Sequence, residues 1–247
     1  MPDITMHQSD CKNGIRENRM PIVLICPGGA YCHLSARESD PVARAFARMG
    51  AETDILYYSI RTAEDQPALG EVPVRELSAH VGELRAAHPG APILVCGFSA
   101  GAHLAATLGV HWRTIGLEKP DALILAYPVI TEEKAWINEP SFQNLTGQEN
   151  RDFFSLEKHV SADVPPVFLW HTAADADVPV ENSLLFASAL SREGIPFEMH
   201  IYPFGVHGLS LATEEVDQPE ADRMADPHIA GWIDECEAWM HTMGFLK

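Results

Sequence analysis

Short, almost unbroken apolar runs alternate along this chain with stretches of helical periodicity. The runs are Ile22–Cys26, Thr53–Ser59, Ile93–Gly97, Ala122–Tyr127, Val167–His171 and Phe197–Tyr202. A strand apolar on both faces must be covered on both faces, which is the condition of a parallel sheet between helical layers. The spacers supply the helices, at 41–49, 73–88, 182–193 and 230–243. In the first, Asp40 reads as the N-cap and Pro41 as the first helical residue. In the second, Val74, Leu77, Val81 and Leu84 form one stripe, ended by Pro89-Gly90. The expectation is an α/β fold with a mostly parallel central sheet and helices on both faces.

The 247 residues suit a single α/β domain over 1–247, with 1–20 as an N-terminal extension or edge segment. A net charge of −18 disfavours nucleic acid and anionic membrane surfaces as partners. The first 20 residues carry Asp3, Asp10, Lys12, Arg16, Glu17 and Arg19 and no apolar core of a leader. No run reaches the roughly 18–20 apolar residues of a membrane span. The five cysteines, Cys11, Cys26, Cys32, Cys96 and Cys236, form no C-x-x-C pair. A disulfide framework or zinc site is therefore not expected, and the setting reads as reduced and cytoplasmic. The acidic residues Glu214, Glu215, Asp217, Glu220 and Asp222 lack the spacing of a cation site and read as a solvated face. No cofactor or metal is expected, and the sequence leaves the oligomeric state open.

The chemistry concentrates at Gly97-Phe98-Ser99-Ala100-Gly101, between an apolar run and the helical run 102–108. A sharp strand-to-helix turn puts a serine hydroxyl at its tip, and side chains two residues either way would collide with backbone. The following helix points its free N–H groups toward the serine, where negative charge would be stabilised. A serine hydroxyl still needs a base, an orienting acid and an oxyanion hole.

His207 is the base candidate, on a glycine-flanked loop after the last apolar run. His171 reads as a strand-end residue and His103 as a packed helix residue. The acid lies after the fifth run, within Ala174-Asp175-Ala176-Asp177-Val178-Pro179. Asp175 is preferred, with Asp177 as the alternative. The order Ser99, Asp175, His207 is that of an α/β-hydrolase. The oxyanion hole would use the N–H of Ala100 and that of Gly29 or Ala30, from the loop Pro27-Gly28-Gly29-Ala30-Tyr31.

These residues resemble the compact acetyl-xylan-esterase-like carbohydrate esterases of the esterase/lipase type. The likeness rests on Ile25–Tyr31, Gly97–Ala105, Pro166–Ala173, Val178–Ser183 and His207–Ala212. Alanine stands at 30, 102 and 174 where that group commonly has glycine, glycine and aspartate. The resemblance implies an α/β-hydrolase fold without a large cap domain. It implies a serine carboxylesterase acting on small acyl esters, acetyl above all, with O-acetylated xylo-oligosaccharides among the substrates. Tyr31, Tyr127 and Trp136 are the aromatic residues expected to face a sugar. An aryl-formamidase-like amidase, a prolyl-oligopeptidase-like peptidase and a non-catalytic carbohydrate-binding relative share the same residues. The peptidase is disfavoured, because the 247 residues are expected to hold no propeller or second domain.

Overall fold

The computed structural model describes residues 20–247; all of the proposed N-terminal segment but Met20, Cys11 included, lies outside them. The strands are β1 (Ile22–Cys26), β2 (Glu52–Ile55), β3 (Ile93–Phe98), β4 (Ala122–Ala126), β5 (Val167–Thr172) and β6 (Phe197–Tyr202). They form one sheet in the order β2-β1-β3-β4-β5-β6. Every pairing is parallel, from Ile22 opposite Glu52 at one edge to Thr172 opposite Tyr202 at the other. The helices are α1 (Asp40–Arg48), α2 (Val72–Ala87), α3 (Ala100–His111), α4 (Glu139–Leu145), α5 (Glu181–Arg192), α6 (Pro227–Ala230) and α7 (Trp232–Thr242). No helix among the described residues is long and apolar enough to cross a membrane.

The two-residue repeat of a strand divides the core into two layers. Ile22, Leu24, Ile93, Val95, Leu123, Leu125, Val167 and Leu169 pack with α2, α3, α4 and α5. Val23, Ile25, Leu94, Cys96, Ile124, Phe168 and Trp170 point the other way, against Val42 and Phe46 of α1 and Trp232, Cys236 and Met240 of α7. Both faces are thus covered by helices, as the apolar runs require.

Several boundaries differ from expectation. Ser39, not Asp40, precedes α1, and Pro41 lies inside its first turn. The run 53–59 is strand only to Ile55. Beyond it the chain leaves the sheet edge, exposing Tyr57 and burying Tyr58, whose hydroxyl donates to Pro27 O at 2.6 Å. The final helix is split, because Gly231 separates α6 from α7.

The chain runs from β1 outward to β2, then crosses back to β3 on the other side of β1. This reversal opens a crevice at the carboxyl ends of β1 and β3, where open α/β sheets place their sites. The loop 27–35 leaves β1 there, and Ser99 follows β3.

Candidate active site

Ser99 has φ 53° and ψ −117°, a backbone state that costs a residue with a side chain roughly 1–3 kcal/mol. Its surroundings hold it there. Ser99 N–H donates to Ala126 O at 3.0 Å, and His103 N–H donates to Ser99 O at 3.0 Å. The flanking glycines are needed for space. A Cβ on Gly97 would overlap the backbone of Gly101, and one on Gly101 would overlap the carbonyls of Cys26 and Pro27.

The three candidate side chains meet although they stand far apart in sequence. Ser99 Oγ lies 2.8 Å from His207 Nε2, and His207 Nδ1 lies 2.7 Å from Asp175 Oδ2. This arrangement fixes the tautomer by inference. Nδ1–H donates to the carboxylate, which leaves Nε2 to accept from the serine hydroxyl. The other carboxylate oxygen, Oδ1, accepts the N–H groups of Asp177 and Val178 at 3.0 and 2.9 Å. Burial works to raise the Asp175 carboxyl. Hydrogen bonds from His171 and His207, the charge on His207 and the Val178 N–H outweigh it, and hold the group well below the usual carboxylate range. Asp177 joins the chain only through its backbone; its side chain is exposed and lines the cleft.

His207 is positioned by the glycines of its own loop, by the end of β5 and by two arginines. Gly205 (φ 132°) and Gly208 (φ 80°) shape its loop. Thr172 Oγ1, at the end of β5, donates to Gly205 O at 2.9 Å. Arg37 Nη1 donates to Gly208 O at 2.6 Å, and Arg223 Nε to His207 O at 2.8 Å. The Tyr127 ring stands edge-on to the imidazole with centroids 5.0 Å apart.

Across the nucleophile, the loop after β1 turns through three consecutive positive φ values, 134° at Gly29, 49° at Ala30 and 59° at Tyr31. Gly28 N–H is taken by Glu38 Oε2 at 2.8 Å. Among the described residues, no hydrogen bond occupies the N–H of Gly29, Ala30 or Ala100. Gly29, Ala30 and Ser99 line a cleft of about 270 Å³ whose other walls include His33, Arg37, Asn138, Asp177 and Arg223.

The aromatic residues expected at a sugar face require correction. Tyr31 and Tyr127 are 1% and 2% exposed and belong to the core. Tyr31 donates its hydroxyl to His103 Nδ1 at 2.8 Å, and Tyr127 donates to Glu38 Oε1 at 2.6 Å. Burial first, then the charge and hydrogen bond of Glu38, push the Tyr127 phenol well above its ordinary range. Trp136 is half-buried before α4 and is absent from the cleft wall; its carbonyl accepts Asn182 Nδ2 at 2.9 Å. His171 and His103 are buried and hydrogen-bonded. In the acidic stretch, Glu214, Glu215, Glu220 and Asp222 are exposed, but Asp217 is partly buried.

Sequence reasoning missed Glu38, Arg37 and Arg223. They sit in polar stretches that look like any solvated loop, and no local spacing marks them. Among the described cysteines, Cys26, Cys96 and Cys236 are buried, Cys32 is exposed, and all four are free thiols. Glu198, His200 and Glu235 bring ligand atoms within 4.8 Å of one another on β6 and α7, apart from the loops of the cleft.

A hydroxyl, an imidazole and a carboxylate bonded in series beside free amide N–H groups are the equipment for attack on an acyl carbon. On this sheet they define the class of α/β-hydrolases. The chain belongs to the prolyl oligopeptidase family, whose model matches residues 89–236. It is similar in structure to an acetyl ester-xyloside bifunctional hydrolase from Caldicellulosiruptor lactoaceticus, at 34% identity and TM-score 0.80 over 94% of this chain and 86% of the other. A sugar hydrolase from Lactococcus lactis matches at 31% identity and TM-score 0.81, over 92% and 90% of the two chains. A carboxylesterase from Lactobacillus plantarum matches at 26% identity and TM-score 0.81, over 94% and 89%. Two of these neighbours are named for ester hydrolysis, and all three share the fold of the described residues. In sequence it is 35% identical over 211 residues to endo-1,4-beta-xylanase B of Butyrivibrio fibrisolvens. The match takes in 78% of this chain, which spans only 33% of that relative's length.

Proposed function

We propose that this protein is a serine carboxylesterase that removes small acyl groups, acetyl above all, from hydrophilic alcohols such as O-acetylated xylo-oligosaccharides. The observation that carries the reading is the hydrogen-bonded series Ser99–His207–Asp175. In the first step Ser99 Oγ attacks the ester carbonyl and His207 Nε2 takes its proton. The oxyanion forms beside the N–H of Ala100 and that of Gly29 or Ala30, where each donor contributes roughly 3–4 kcal/mol. His207 then passes the proton to the departing alcohol, leaving an acyl-serine. Water, deprotonated by the same nitrogen, releases the acid and restores Ser99. Asp175 keeps the imidazole in its tautomer and stabilises the imidazolium.

The cleft supports a small acyl group and a polar alcohol. It is small, and His33, Asn138 and Arg223 line it with polar groups rather than an aliphatic wall. The activities named for the xylan- and sugar-acting relatives agree with such an alcohol. Family membership favours one second reading, cleavage of amide bonds by the same series.

The test is hydrolysis of p-nitrophenyl esters of increasing acyl length, acetylated xylo-oligosaccharides, N-formylkynurenine and dipeptide amides. Acetyl esters should be fastest. Ser99→Ala should cut the rate by at least ~10³-fold while the circular dichroism of the fold persists. Hydrolysis of the amides alone would overturn the ester reading. A wild-type chain that a fluorophosphonate does not label would overturn Ser99 as nucleophile and favour a non-catalytic carbohydrate-binding role.

A further inference from the structure

Glu38 is the least expected group in the cleft wall. It is a carboxylate only 3% exposed, and its bonding partners are an amide and a phenol rather than a cation. One oxygen, Oε2, accepts Gly28 N–H at 2.8 Å. The other, Oε1, accepts the Tyr127 hydroxyl at 2.6 Å. That hydroxyl in turn accepts Ser210 N–H at 3.0 Å. Ser210 lies three residues beyond His207, and its own hydroxyl donates to Arg37 O at 2.7 Å. Residues 37–38 and residue 210 are therefore joined twice, once through Tyr127 and once directly. The space is tight as well. A Cβ on Gly28 would lie 2.8 Å from Glu38 Oε2 and 3.0 Å from Ser99 Cβ, so carboxylate, loop and nucleophile are in contact.

We propose that Glu38 is a positioning residue that locks the oxyanion loop and the histidine loop to each other. The inference rests on the serine-hydrolase reading given above. The loop after β1 turns through three successive positive φ values, and its own backbone bonds, from the N–H groups of Cys32 and His33 to Gly29 O and from Ser35 N–H to Gly28 O, tie down its later part but not the N–H of Gly28. Spending Gly28 N–H on Glu38 fixes the start of that loop and leaves the next two amides free toward the cleft. Tyr127, held by the same carboxylate, carries Ser210 and stands edge-on to His207. One buried side chain thereby sets both the oxyanion donors and the base relative to Ser99. Catalytic groups lose rate steeply when misplaced by about 1 Å.

The rival is a purely structural role, in which Glu38 only satisfies two buried donors. Three variants separate them: Glu38→Ala, Glu38→Gln and Tyr127→Phe. Glutamine keeps an acceptor for Gly28 N–H, and its amide can donate to a Tyr127 hydroxyl that has turned. Two rates are read, the kcat for p-nitrophenyl acetate and the second-order rate of fluorophosphonate labelling of Ser99. The phosphonyl adduct needs the same oxyanion donors but no ester turnover.

Glu38→Ala should slow both rates about 100-fold, the scale of losing an oxyanion donor. KM should stay within about threefold, because the loss falls on the transition state. Glu38→Gln should recover all but about tenfold, and combining it with Tyr127→Phe should cost less than the product of the two single losses. Folded Glu38→Ala with both rates within twofold of wild type overturns the proposal. So does an equal loss in Glu38→Ala and Glu38→Gln. Should Glu38→Ala fail to fold, the cycle of Glu38→Gln with Tyr127→Phe decides, and multiplicative losses there overturn it. A wild-type chain that labels but cleaves no ester removes the ester reading and leaves the labelling rates to judge Glu38.

Discussion

His171 places its Nε2 3.3 Å from the same Asp175 oxygen that His207 Nδ1 meets at 2.7 Å. That nitrogen also faces Val178 O at 2.9 Å, so two acceptors share one N–H, and Nδ1 accepts from Ser183 Oγ at 2.8 Å. The strand-end histidine is thus a second hydrogen-bond donor to the acid. Replacing it with alanine should leave Asp175 one bond short in a dry site, at a cost of about 1–3 kcal/mol. We expect His171→Ala to lower both kcat for p-nitrophenyl acetate and the unfolding midpoint. An unchanged midpoint would show that the shared bond contributes nothing.

The two aspartates of the β5 loop make opposite predictions. Asp175→Asn should cost ~10³–10⁴-fold in kcat, since an amide stabilises the wrong imidazole tautomer. Asp177→Asn removes only an exposed charge at the cleft mouth. Its effect should stay within about fivefold, the ~1 kcal/mol scale of surface charges. Steady-state kinetics on the two variants, side by side, settles the assignment.

Glycine is demanded at the elbow by space, whereas at Gly116 it is demanded only by φ. Gly101→Ala drives a methyl into the carbonyls of Cys26 and Pro27 and should cost about 3 kcal/mol or more. Gly116→Ala meets nothing within 4 Å at φ 69° and should cost only the left-handed penalty of about 1–2 kcal/mol. Urea unfolding of both variants measures the difference, which vanishes if the elbow can relax.

His103 should make stability fall on acidification. It is buried on α3, with Nε2–H donating to Phe154 O at 2.9 Å and Nδ1 accepting from Tyr31. Burial lowers its pKa from 6.5 to about 4 against the pull of the Phe154 carbonyl. Between those two values the unfolded chain binds the proton and the folded chain does not, so stability decreases as pH falls from 6.5 to about 4. The full loss is about 3 kcal/mol and stops growing below the lower value. His103→Gln should flatten that stretch of the stability–pH curve, measured by urea titration at each pH.

The sheet was legible because its interior strands are apolar on both faces. Ile22–Cys26 and Ala122–Ala126 cannot be anything exposed, and their pattern shows it. The edge strand β2 was overdrawn because Leu56 and Tyr58 stay apolar and buried beyond Ile55, where the strand ends. Ser99, Asp175 and His207 were legible because each follows a strand and sits among glycine or turn residues. The tyrosines misled for a physical reason. An aromatic ring with a polar tip suits a sugar face and a hydrogen-bonded core equally, and only the partners of Tyr31 and Tyr127 decide. Glu38 was invisible because its meaning depends on Tyr127 and Ser210, far along the chain, while its neighbours Arg37, Ser39 and Asp40 suggest water.

The clasp between residues 37–38 and residues 208–216 also bears on the order of folding. Arg37 reaches Gly208 across 171 positions, Ser210 across 173 and Val216 across 179. Such contacts pay their loop-closure entropy only after the intervening strands have gathered, so they belong late in assembly. Secondary structure and the buried tryptophans then report the sheet, whereas regained turnover reports the moment when residues 37–38 and 208–216 have found each other.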